Sequence, residues 1–195
     1  MQDAVMIEYN HFPKDSVLLK AISKKIKDKQ LKACLTRYTY RYRLAVAFEG
    51  LQASTVDKRM LAGYSCVTKL FLAYTAYDEI REAERLLVGK TKKRFHKVFD
   101  FHTANKLRRN FKLAELLKFS VAVSDKTLLK SLQNFYDNNN NEVMCIATAI
   151  RNCYAHGDFT ASGANLRTVR ERAAVEKLTE VVLVKSNEIF SEMLE

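Results

Sequence analysis

Apolar residues fall at helical spacing most clearly between positions 143 and 154 of this chain. With Val143 at zero and about 100° per residue, Ile146, Ala147, Ile150 and Tyr154 lie within about 60° of it, one stripe on a helix predicted over 142–156. Further helices are predicted over 17–29, 31–49, 55–88, 103–119, 125–136 and 165–193. Pro13 and Asp15 punctuate the N-terminus. Ser16, Ser54 or Thr55, Ser124 and Asn141 are placed to cap helices, and Gly50, Gly89 and Gly157 to end them. Gly63, inside the long helix, costs about 1 kcal/mol relative to alanine and suggests a close contact or a bend there. The run Arg37-Tyr38-Thr39-Tyr40-Arg41-Tyr42-Arg43 alternates with period two, as an exposed strand would. Leu-rich helical segments flank it with no turn residue on either side, so it reads as helix with its rings used in packing.

Composition narrows the fold class. The 195 residues include five glycines and one proline, too few for the tight turns of a sandwich, barrel or doubly wound sheet. A hydrophobic fraction of 48% is ample for a core. The expectation is an all-α protein: one compact domain over 1–195, a bundle of six or seven helices. Residues 1–16 form an N-terminal appendage, 90–102 a basic connector, and 157–164 a turn segment. No solenoid repeat is present.

Charge and cysteines bear on partners and compartment. Net charge is +11, with the excess spread over 1–150 and absent from 151–195, a field that suits a polyanion such as nucleic acid or an anionic membrane surface. Cys34, Cys66, Cys145 and Cys153 lack metal-ligand spacing and sit in apolar helical stretches as small hydrophobes. No metal or other cofactor is expected. The N-terminus lacks the cationic and apolar regions of a signal peptide, and no uncharged run of 18 residues exists. A cytoplasmic protein with no membrane span is the expectation.

The candidate chemistry lies in Ile150-Arg151-Asn152-Cys153-Tyr154-Ala155-His156-Gly157. On the helical projection Arg151 falls at about 80°, Asn152 at about 180° and His156 at about 220°, beside or opposite the apolar stripe. Their neighbours Cys145, Thr148, Ala149 and Ala155 are small, which lets another helix approach. His156 sits where the helix C-terminal dipole favours imidazolium and the Arg151 charge opposes it. A histidine can accept and donate a proton near neutrality, and a guanidinium can hold a phosphate by paired hydrogen bonds. Together they suffice for RNA cleavage without a metal, the histidine handling the 2′-hydroxyl or the leaving oxygen and the arginine the phosphoryl charge. The bland alternative has His156 capping the helix while Arg151 pairs with an acid of another helix.

Arg151-Asn152-Cys153-Tyr154-Ala155-His156 resembles the R-x4–6-H signature of the HEPN superfamily, in which a polar residue, often Asn, follows the arginine and a glycine often follows the histidine. The resemblance implies an all-α endoribonuclease that works without metal and dimerises so that two motifs face each other across one cleft. It implies Arg151 and His156 as catalytic residues with Asn152 supporting them, and a toxin or defence role with an antitoxin or nucleotidyltransferase partner. In one toxin branch a tyrosine two residues after the histidine is modified by that nucleotidyltransferase; here Asp158 stands at that position.

Two other features fit RNA. Residues 90–112 carry Lys92, Lys93, Arg94, Lys97, Arg108 and Arg109 among nine cations, against one acid, Asp100, interleaved with Phe95, Phe99, Phe101 and Phe111. Phosphate contacts with rings for stacking are what single-stranded RNA binding uses. Asp78 and Glu79 are candidates to orient Arg151 or His156 from a neighbouring helix, although a surface pairing such as Asp78–Arg81 is the simpler expectation. The competing functions are a non-catalytic HEPN domain that binds RNA or nucleotides, and a helical protein-interaction module with no RNA role.

Overall fold

The computed structural model describes residues 26–89, 101–111, 125–157, 166 and 168–193. They contain six helices and no strand: α1 (Lys29–Ala47), α2 (Lys58–Val88), α3 (Phe101–Asn110), α4 (Lys126–Tyr136), α5 (Met144–Ala155) and α6 (Val169–Glu192). The expected all-α bundle is what is found. The helix expected over 17–29, apart from its last residues, lies outside the described residues, as do 90–100 of the connector and 112–119 of the helix expected over 103–119. Phe101 and His102, assigned to the connector from sequence, are the first residues of α3.

α2 is the centre of the bundle and packs against α1, α5 and α6. Leu70, Ile80, Leu178 and Val182 are fully buried in this core. The Arg/Tyr run lies in α1, where a helical period puts Tyr38 and Tyr42 on the buried side, their rings 5.6 Å apart. Tyr38 also packs on Phe190 of α6 at 5.3 Å, and Tyr40 points outward, 70% exposed. The two-residue alternation was therefore no strand signal; tyrosines four apart share one helical face. Gly63 is buried within an unbroken α2.

Several helix starts differ from the sequence reading, and in two of them a carboxylate takes the cap in place of a hydroxyl. Asp57, rather than Ser54 or Thr55, caps α2 by accepting the Arg59 and Met60 N–H groups. Asp125, rather than Ser124, accepts those of Thr127 and Leu128 for α4. A carboxylate makes charge-assisted bonds that a hydroxyl does not. α6 begins at Val169 behind a reciprocal capping box of Thr168 and Glu171, four residues later than expected. Asn141 does not cap α5. Its amide oxygen accepts from Arg108 at 2.8 Å, and α5 starts behind Val143 with no side-chain cap.

Candidate functional site

Two hydroxyl pairs and a ring contact hold α5 antiparallel along α2. Thr148 Oγ1 lies 2.6 Å from the Tyr74 hydroxyl, and the Tyr154 hydroxyl 2.7 Å from Thr68 Oγ1. The Phe71 and Tyr154 rings are 5.7 Å apart. Ile146, Ala147 and Ile150 are buried as the stripe predicts. The opposite side is covered too: Cys145, Ala149, Asn152 and Cys153 are all buried. The small-residue face is therefore a packed one. Only the last turn opens to solvent, where His156 is the exposed C-cap and Gly157 takes the left-handed conformation, φ 75°, that releases the chain.

Arg151 is held through its two Nη atoms, while its Nε is buried with no partner among the described residues. Its Nη2 donates to Asp78 Oδ2 at 2.7 Å and its Nη1 to Asn152 Oδ1 at 2.8 Å. The guanidinium carbon lies 5.4 Å from the Tyr74 ring centre, a cation–π contact. Asp78 and Asn152 take two of the five guanidinium N–H bonds, so each Nη retains a hydrogen with which to bind an incoming oxygen.

Of the two acids proposed to orient the motif, the structure brings Asp78 to Arg151 and takes Glu79 elsewhere. Glu79 accepts from Arg37 at 2.9 Å and forms an ion pair with Arg41 at 2.7 Å, clamping α1 to α2. One residue along a helix turns the side chain by about 100°, which separates the two carboxylates onto different neighbours. Arg81, the expected surface partner of Asp78, instead lies over the Tyr77 ring at 5.7 Å. Tyr74 was missed by sequence reasoning; its signal was its place one turn before Asp78 on the same face of α2.

Burial pushes the Asp78 carboxyl above the ordinary aspartate range, and the Arg151 guanidinium pulls it part of the way back. A carboxyl raised in the folded state stabilises the fold below its unfolded pKa, about 3.9, and that contribution is lost as pH rises through the folded value. Carbon-detected NMR titration is expected to place Asp78 above a normal aspartate, and Arg151→Ala to move it higher still. A downward move in that variant would mean that the pair does not form.

The basic segment divides. Lys92, Lys93, Arg94 and Lys97 lie outside the described residues. Arg109 is exposed. Arg108, expected to contact RNA, is instead turned inward: it donates to the Phe135 carbonyl at 2.7 Å, to Asn105 Oδ1 at 3.0 Å and to the Asn140 carbonyl, besides Asn141, and stacks on Phe135 at 4.3 Å. Carbonyls left open at the end of α4 and in the loop after it supply the acceptors that claim it. Among the described residues no group of three or more His, Cys, Asp or Glu side chains is placed to hold a metal ion, and no helix is long and apolar enough to cross a membrane. All four cysteines are free and buried.

Arg151 and His156 leave α5 about 140° apart and about 7.5 Å apart along its axis. The arginine is braced from α2, and the histidine is free to meet solvent or another molecule. No protein-family model, no curated protein and no solved structure matches this chain.

Proposed function

We propose that this protein is a metal-independent endoribonuclease of HEPN type that acts as a homodimer. The observation that carries the reading is the bracing of Arg151 by Asp78, Asn152 and Tyr74 on the helix whose exposed C-cap is His156. A guanidinium held in advance stabilises developing phosphoryl charge without reorganising at the moment of reaction. His156 takes the proton of the 2′-hydroxyl as its oxygen attacks phosphorus. The P–O5′ bond breaks, and a protonated imidazole returns a proton to the leaving oxygen. The products are a 2′,3′-cyclic phosphate and a 5′-hydroxyl.

The angular offset between the two residues favours a shared cleft. One copy does not present both groups on one face of α5, whereas two apposed copies bring the arginine of each toward the histidine of the other. Light scattering at micromolar concentration is expected to give twice the chain mass of 22.5 kDa. A monomer that still cleaves RNA would remove the composite cleft from the proposal.

RNA cleavage in EDTA by the wild type and by His156→Ala tests the reaction itself. The wild type is expected to cut, leaving cyclic phosphate ends, and the variant to be reduced by about 10²- to 10⁴-fold, the span of general acid–base contributions. Equal activity of the two proteins would overturn the role of His156. A wild type inert on every RNA tried, yet binding RNA with affinity that falls steeply with salt, would replace the enzyme by a non-catalytic RNA-binding domain. On the catalytic reading, expression in cells is toxic for the wild type and harmless for His156→Ala, the behaviour of a toxin or defence effector held in check by a partner protein.

A further inference from the structure

A second candidate site has no residue of the motif helix in its lining. Residues 48–51, the first turns of α2 and the first turns of α6 line an open cavity of about 470 Å3, within the range of small-ligand sites. Its wall is built rather than incidental. Ser65 Oγ accepts the Leu51 N–H at 2.9 Å and donates to the Leu61 carbonyl at 2.8 Å, tying the segment down onto α2. A Cβ at Gly50 would stand 3.3 Å from that hydroxyl, closer than an ordinary contact.

The lining combines two chemistries. Phe48, Leu51 and Leu61 supply apolar surface, and Lys58, Lys69 and Arg172 supply positive charge. Arg172 is held in place by donating to the Leu166 carbonyl at 3.1 Å. Neither Lys58 nor Lys69 forms an ion pair or hydrogen bond with a described residue. Lys69 stands half-buried at the cavity wall, and Lys58 is exposed at its rim. Glu49 and Glu176 also line the space, leaving a net charge of one unit positive. That balance suits one anionic head and disfavours a polyanion. Beneath lies Cys66, whose thiol donates to the Arg172 carbonyl at 3.4 Å and is pushed up to about 12 by burial, so it is an inert floor and no nucleophile.

We propose that this cavity binds a small amphiphilic organic anion, a ring or short chain bearing a single carboxylate, sulfonate or phosphate head, with Lys58, Lys69 and Arg172 on the head and Phe48, Leu51 and Leu61 on the body. The site is independent of the nuclease reading. The probe is 8-anilinonaphthalene-1-sulfonate, an aromatic monoanion whose fluorescence rises in apolar surroundings, titrated into the full chain with calorimetry to count sites.

One site per chain is expected, displaced by phenyl phosphate and not by inorganic phosphate at the same concentration. Lys58→Glu/Lys69→Glu is expected to weaken binding at least about tenfold, the loss of a charge-assisted contact. Arg151→Ala is expected to bind as the wild type does. Both lysines stand at helix positions open or half-open to solvent, and circular dichroism checks that the double variant folds; Lys69→Gln alone serves if it does not, with the same direction. Absent binding, unchanged affinity in the lysine variants, or a loss confined to Arg151→Ala would overturn the proposal. Equal competition by inorganic phosphate would remove the apolar half of the site.

Discussion

Arg151→Ala is expected to lower RNA cleavage by about 10²- to 10³-fold, the cost of removing one preorganised donor from a developing anion, while the protein stays folded. The two halves separate because of where the side chain sits. The Arg151 and Asp78 side chains are 32% and 43% exposed, so the ion pair contributes no more than about 1 kcal/mol to stability. On the proposed nuclease reaction the transition state, by contrast, gains from the guanidinium because Asp78, Asn152 and Tyr74 have already fixed its direction. Arg151→Lys is expected to recover little, since an ammonium keeps the charge but loses the planar fork that reaches Asp78, Asn152 and a phosphate together. Asp78→Asn is expected to fall between, because it frees the guanidinium without removing it. Initial rates in EDTA, read beside urea midpoints for each variant, decide the matter. An Arg151→Ala protein that cuts RNA at the wild-type rate, or that loses activity only in proportion to lost folded protein, would show that Arg151 is a structural ion-pair partner of Asp78.

The sequence carried the helix content, because so few glycines and prolines leave long periodic segments with one solution, and the stop at Gly157 behind His156 was legible for the same reason. What local pattern could not carry was the choice of partner across helices. Asp78 and Glu79 are adjacent and chemically alike, yet one meets Arg151 of α5 and the other Arg37 and Arg41 of α1. That outcome depends on which helix lies on which side of α2. The same limit explains Asn141. It follows a run of asparagines just before an apolar helix, the position of a cap, but an arginine more than thirty residues earlier competes for its oxygen and wins with a charge. Arg109, by contrast, remained outside as the basic segment suggested. Sequence pattern located the helices and the motif; long-range pairing decided which charged groups stayed available to a ligand.

Arg108→Ala is expected to destabilise the fold by about 3–5 kcal/mol, from several charge-assisted bonds and a cation–π contact, a large share of the roughly 5–15 kcal/mol that holds a domain together. The side chain reaches from α3 to the end of α4 and the loop that follows it. Without it the Phe135 and Asn140 carbonyls lose a charged donor in partly buried surroundings, and Asn141 loses the partner that holds it away from the start of α5. The loop also turns through Asn138 at φ 61°, a conformation asparagine tolerates, and the arginine adds to the Asn138 and Asn139 N–H bonds to the Phe135 and Asn134 carbonyls that hold it. Arg108→Lys is expected to recover no more than a minor part, since one ammonium cannot span acceptors set in a fan around a planar group. The exposed Arg109→Ala is the control, with a change within about 0.5 kcal/mol. Urea unfolding followed by circular dichroism measures all three. An Arg108→Ala protein as stable as the wild type but weaker in RNA binding would return Arg108 to the nucleic-acid surface, and α4 and its loop would need another anchor.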